Sequence, residues 1–167
     1  MGSTLSHQSI YSGELFQFND DKIEFKKDYI DKLDNENIKI ISMIGPGRMG
    51  KSSYINGLLT YVYQENIQIL KVGNTADHCT YGIDYIKFKK DGETFLLLDC
   101  QGIAHHSSKH DAKLLLLTYL LSDIVIYHDN FMNNSTLKNL EPVCAFSNYL
   151  KDTIKSPPSL IFRVKDY

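Results

Sequence analysis

Seven residues, Ile38-Lys39-Ile40-Ile41-Ser42-Met43-Ile44, form a β-branched and nearly apolar run, as a strand buried on both faces should. The run leads directly into Gly45-Pro46-Gly47-Arg48-Met49-Gly50-Lys51-Ser52. Residues 51–64 then set Tyr54, Ile55, Leu58, Leu59 and Val62 at helical spacing. A strand that turns through a glycine loop into a helix fixes the local architecture of the chain. The loop also satisfies G-x-x-x-x-G-K-[ST] in full. Gly45 and Gly50 permit backbone angles and close approach that a side chain would block. The amides of residues 47–52 can then face phosphate oxygens, helped by the partial positive charge of the helix N-terminus. Lys51 is expected to reach the β- and γ-phosphates of a nucleoside triphosphate, and the Ser52 hydroxyl to ligate Mg²⁺. Gly45, Gly47, Arg48, Met49, Gly50, Lys51, Ser52 and Ser53 make up the candidate phosphate-binding set.

A second motif follows at a telling distance. Phe95-Leu96-Leu97-Leu98 reads as a buried strand that ends on Asp99-Cys100-Gln101-Gly102. D-x-x-G at a strand's end puts the Asp99 carboxylate near Mg²⁺ and the Gly102 N–H near the γ-phosphate. Between the two motifs, residues 65–80 are irregular and polar, and either Thr75 or Thr80 can supply a hydroxyl that completes the Mg²⁺ shell. Near the end of the chain, Asp166 follows a strand, Ile161-Phe162-Arg163-Val164. A carboxylate there suits guanine, whose N1–H and 2-amino group form a donor pair that adenine lacks; an ordinary solvated terminal Asp is the bland alternative.

The rest of the chain alternates strand and helix, which predicts an α/β fold with a mainly parallel sheet. Strands are expected at 81–89, 94–99, 123–128 and 159–164, and helices at 26–33, 111–121 and 136–155. Lys90-Asp91-Gly92-Glu93 marks a tight hairpin, because Asp-Gly tolerates the positive φ that the turn requires. The fold class is therefore a P-loop NTPase three-layer α/β sandwich, mostly parallel, with one antiparallel hairpin between its second and third strands. Residues 1–13 read as a flexible polar arm and residues 14–167 as the nucleotide-binding domain.

Composition narrows the partners. The net charge of −2 offers no basic surplus for neutralising nucleic-acid phosphates. Cys79, Cys100 and Cys144 are widely spaced and odd in number, which favours reduced thiols in a cytoplasmic protein. No stretch is apolar for the ~18 residues that a membrane span needs, and Leu114-Leu115-Leu116-Leu117 reads as core. Met1-Gly2-Ser3-Thr4-Leu5-Ser6 fits the N-myristoylation pattern, or is an incidental start; a single acyl chain would give only peripheral, reversible membrane attachment. His105, His106, His110 and Asp111 invite a metal reading, but they follow D-x-x-G, where a solvated loop is the better expectation.

Over residues 15–167 the chain resembles the guanylate-binding proteins and atlastins, which are large GTPases. Arg48 stands where that family keeps an internal arginine finger. Residues 73–83 are similar to its switch I, which ends in Thr-x-Gly-Ile and so points to Thr80 over Thr75. Leu97-Leu98-Asp99-Cys100-Gln101-Gly102-Ile103 resembles its Leu-Asp-Thr-Glu-Gly-Leu, and Lys165-Asp166 its Arg-Asp guanine motif. The resemblance implies a Mg²⁺-dependent GTPase that binds GTP and GDP and dimerises through its nucleotide face, with Arg48, Lys51, Thr80 and Gln101 serving hydrolysis. Three departures stand against it. Gln101 replaces Glu, Lys165 replaces Arg, and the sequence stops at Tyr167, before the family's guanine cap, so the domain is expected to be incomplete at that end. Two other readings remain: a nucleotide-dependent interaction module with little turnover, and an ATP-binding P-loop protein.

Overall fold

The computed structural model describes residues 10–19, 22–26, 37–72, 82–103, 108–131, 134–150 and 156–164. Strands β1 (Tyr11–Asn19), β2 (Lys22–Phe25), β3 (Ile38–Ile44), β4 (Ile83–Lys90), β5 (Glu93–Cys100), β6 (Ile124–Asp129) and β7 (Ser159–Val164) alternate with helices α1 (Lys51–Tyr63), α2 (Ser108–Leu121) and α3 (Asn134–Leu150). The strands form one sheet in the order β2-β1-β4-β5-β3-β6-β7. Pairs β5–β3, β3–β6 and β6–β7 are parallel, and β2–β1, β1–β4 and β4–β5 are antiparallel.

The three layers follow from the two-sided apolar pattern of the central strands. Ile55 and Leu59 of α1 pack with Met43, Ile86, Phe88 and Leu97 on one face. Leu114 and Leu115 of α2 and Leu140 of α3 pack with Ile44, Ile83, Leu98, Val125 and Tyr127 on the other. Leu114 and Leu115 of the leucine run are core, as its sequence suggests, and Leu117 packs against them. Alternation in β4 explains the split, since Ile83 and Tyr85 belong to one cluster and Ile86 and Phe88 to the other. The β4–β5 hairpin turns on Asp91 (φ 52°) and Gly92 (φ 82°), the two positive angles that its sequence called for.

Differences from the sequence reading lie mainly at the edges. Tyr11, Ser12 and Gly13, read as part of a flexible arm, begin β1 and pair with Lys87, Ile86 and Tyr85. A second hairpin, β1–β2, thus extends the antiparallel side of the sheet. Helix α2 starts three residues earlier than expected, at Ser108, and α3 runs through Pro142 on an exposed face. The helix expected at 26–33 lies almost wholly outside the described residues, as do residues 1–9.

Candidate functional site

The parallel strands β3, β5, β6 and β7 all point their carboxyl ends to one edge, and the glycine loop crosses that edge between β3 and α1. Its shape is set by three positive φ angles, at Gly45 (141°), Arg48 (62°) and Gly50 (84°). Gly45 is irreplaceable on steric grounds, because a Cβ there would lie 2.0 Å from the His128 carbonyl oxygen on β6. Helix α1 begins at Lys51 with Gly50 as its N-cap, no capping side chain and no acid in its first turn. The helix N-terminus thus keeps its partial positive charge uncompensated, which suits an anion.

The two motifs are stitched together. Ile103 N–H donates to Gly45 O at 3.1 Å, and Gly47 N–H leans on Ile103 O at 3.4 Å. The first amide of the expected phosphate cradle is therefore turned toward the D-x-x-G segment. Gly102 packs backbone to backbone on the loop, and a Cβ there would meet Gly47 Cα at 2.3 Å. Beside this seam, Ser52 Oγ donates to Asp99 Oδ2 at 2.6 Å. The proposed metal ligands of the two motifs, 47 residues apart, are thus brought within one ion's reach.

Lys51 is buried, and its Nζ arches over the loop to Pro46 O at 2.8 Å and Gly45 O at 3.1 Å. Burial lowers its pKa from the ordinary lysine value, with Asp99 opposing. A desolvated ammonium gains more from a multiply charged anion than a hydrated one does. Arg48 and Ser53 are exposed, while Met49 and Gly50 are half-buried. Cys100, next to Asp99, is buried against Thr118, and burial pushes its thiol up to about 12.

Gln101 is buried and tied backward. Its Oε1 accepts from Gly82 N–H at 3.1 Å, and its own N–H donates to Gly82 O at 2.8 Å. Gly82 in turn sits at φ 114° against Phe16 O, which a Cβ would meet at 2.0 Å. This double link anchors the end of the segment that carries Thr80. Thr75 and Thr80 themselves, with Lys165 and Asp166, lie outside the described residues, as do His105 and His106. His110, on α2, has Nδ1 3.7 Å from Asp111 Oδ1. Among the described residues, no group of three or more His, Cys, Asp or Glu side chains forms a metal site of its own.

Three features escape sequence reading. Asn56 on α1 is buried and accepts from Ile69 and Leu70 N–H, at 3.1 and 3.0 Å, which fixes the chain as it leaves the helix. Glu14, Asp84 and Asp99 align across β1, β4 and β5, and they line a cavity of about 270 Å³ with Lys71. Burial, then Asp99 and Glu14, raise the Asp84 carboxyl to about 6. Finally, His128 touches the loop through Met49 O, and Arg163 touches His128. A polar residue at the carboxyl end of a buried strand was the available signal, yet its partners lie far away in sequence.

The sequence pattern of the family described as "Guanylate-binding protein, N-terminal domain" matches residues 15–166. The chain belongs to this family. Guanylate-binding N-terminal domains are GTP-binding domains of the GTPase class, in agreement with the P-loop fold and the paired motifs. No curated protein matches the chain in sequence. Among solved structures, it is similar to the chloroplast translocon components atToc33 and psToc159, for whose GTPase activity dimerisation is important. The TM-score is 0.48 at 19% identity, over 71% of this chain and 47% of that one. This guanylate-binding-type chain thus spans about half the length of that structure. Among the described residues, no helix is long and apolar enough to cross a membrane.

Proposed function

We propose that this guanylate-binding-type domain binds GTP with Mg²⁺ at the glycine loop and hydrolyses it, most effectively as a dimer joined across the nucleotide face. The observation that carries the reading is the Ser52–Asp99 hydrogen bond beside an uncapped helix N-terminus. Hard oxygen donors from both motifs converge there, and the donor set fits Mg²⁺. The loop amides and Lys51 would hold the β- and γ-phosphates, and Ser52, Asp99 and Thr80 would hold the ion. Bound Mg²⁺ supplies charge neutralisation on the phosphate oxygens. Arg48 adds a second positive group from the exposed crest of the loop, and Lys165-Asp166 select guanine.

One experiment tests nucleotide choice. GTP and ATP are competed for the wild type and for Asp166→Ala. GTP should win in the wild type and lose most of its advantage in the variant. Preference for ATP in the wild type would replace this reading with that of an ATP-binding P-loop protein.

The Gln101–Gly82 link favours a second reading, a nucleotide-dependent interaction module with little turnover, because the Gln101 side chain, within D-x-x-G, is engaged with backbone. Phosphate release at rising protein concentration separates the two. A dimer-activated enzyme speeds up per molecule, and an interaction module stays slow throughout.

A further inference from the structure

His128, the penultimate residue of β6, lies against the glycine loop and is fully buried. Its Nε2 lies 2.8 Å from Met49 O. On its other side, Arg163 NH1 lies 2.7 Å from Nδ1 and 3.4 Å from Nε2. A carbonyl oxygen can only accept, so the ring proton resides on Nε2, where it is donated to Met49 O, while the two distances from Arg163 place its guanidinium over the face of the imidazole. Arg163 is itself held in place, with its guanidinium 4.0 Å from the Tyr54 ring centroid on α1. The His128 main chain also supports the loop, since its carbonyl lies against Gly45.

We infer that His128 is a positioning residue for the phosphate cradle, and that Arg163 acts through it by packing over the imidazole and holding the ring in place. The inference rests on the nucleotide reading given above. The Met49–Gly50 peptide is planar and trans, so fixing its carbonyl toward β6 turns the Gly50 N–H to the opposite side, away from β6. Gly50 is also the N-cap of α1, so the same restraint sets where the helix N-terminus points. Arg163 lies on β7, the strand that leads to Lys165-Asp166. The network therefore ties the base-reading strand to the phosphate loop through one imidazole.

The test compares GDP with GMP, because the β-phosphate is the group that the loop amides cradle. Binding of both nucleotides is measured by calorimetry for the wild type, His128→Phe, His128→Gln and Arg163→Met, with folding checked by thermal melting. His128→Phe keeps a planar ring but cannot donate to Met49 O. It should lose about tenfold in GDP affinity, the scale of one lost hydrogen bond to a buried group, with GMP affinity unchanged. His128→Gln, whose amide can donate to Met49 O, should recover most of that loss. Arg163→Met should weaken GDP by about threefold, again sparing GMP, and it serves as the reading variant if His128→Phe fails to fold. A folded His128→Phe protein that keeps the full wild-type preference for GDP over GMP overturns the inference. So does equal weakening of both nucleotides, or a Gln variant no better than Phe. If the wild type shows no preference for GDP over GMP, the nucleotide reading itself fails.

Discussion

Ser52 Oγ and Asp99 Oδ2 lie 2.6 Å apart, joining the first turn of α1 to the end of β5. Each residue lies one position inside the end of an element packed in the sheet core, so the pair is preset before any ligand arrives. Their shared task predicts coupled energetics. Ser52→Ala and Asp99→Asn should each weaken the Mg²⁺-dependent part of GTP binding by about tenfold or more. The double variant should be little worse than the worse single one, because both act on one ion. Titrating Mg²⁺ at fixed GTP checks this, and additive losses would separate the two residues.

Arg48 is exposed and held at φ 62°, a left-handed conformation that ordinary side chains avoid. A strained residue on the crest of a phosphate loop is expected to serve function and not stability. Arg48→Ala should leave GTP affinity nearly intact while reducing dimer-stimulated turnover by about 10³–10⁵. Arg48→Gly should lose the same turnover yet melt higher than Arg48→Ala, since glycine accepts this φ without strain. Phosphate release at saturating GTP, together with melting curves, reads both outcomes. Unchanged turnover would remove Arg48 from the reaction.

The strand, loop and helix from Ile38 to Tyr63 were legible in sequence because every signal there is local. Apolar runs, glycine spacing and helical periodicity all fall within 26 consecutive residues. The β4–β5 turn was legible for the same reason, through Asp91-Gly92. Strand β1 was not, because Tyr11-Ser12-Gly13-Glu14 carries polar and glycine residues that gain order only by pairing with β4, some 70 residues on. The links between Gln101 and Gly82, and among Met49, His128 and Arg163, were hidden likewise. Each joins elements that meet only once the sheet order is set, and no periodicity announces them.

Gln101 shows what such a link contributes. Its amide satisfies the Gly82 N–H inside the protein, so Gln101→Met leaves a buried donor orphaned. The expected cost is about 1–3 kcal/mol, read from chemical denaturation. Gln101→Glu restores the family's residue at a buried site next to Asp99, where a further negative charge is costly. It should therefore be more destabilising at pH 8 than at pH 5. Equal stability of the Glu variant at both values would place that carboxylate in solvent instead.

Asp84 gives the clearest pH dependence. Burial first, then the neighbouring Asp99 and Glu14, raise its carboxyl from 3.8 to about 6, with Lys71 opposing. A carboxyl raised in the folded state binds its proton more tightly there than in the unfolded chain. Its contribution is therefore fully present below the unfolded value of 3.8 and is lost as pH rises through about 6. Asp84→Asn removes that loss, so without divalent cations the variant should melt above the wild type at pH 7.5. The difference should vanish or reverse at pH 4. Because the side chain is only partly buried, solvent screening trims the gain to a modest rise in melting temperature. Glu14→Gln should move the same crossover to lower pH by removing one of the charges that raise Asp84. Melting temperatures of the three proteins between pH 4 and 8 decide it, and parallel curves for wild type and Asp84→Asn would locate the strain elsewhere in the row.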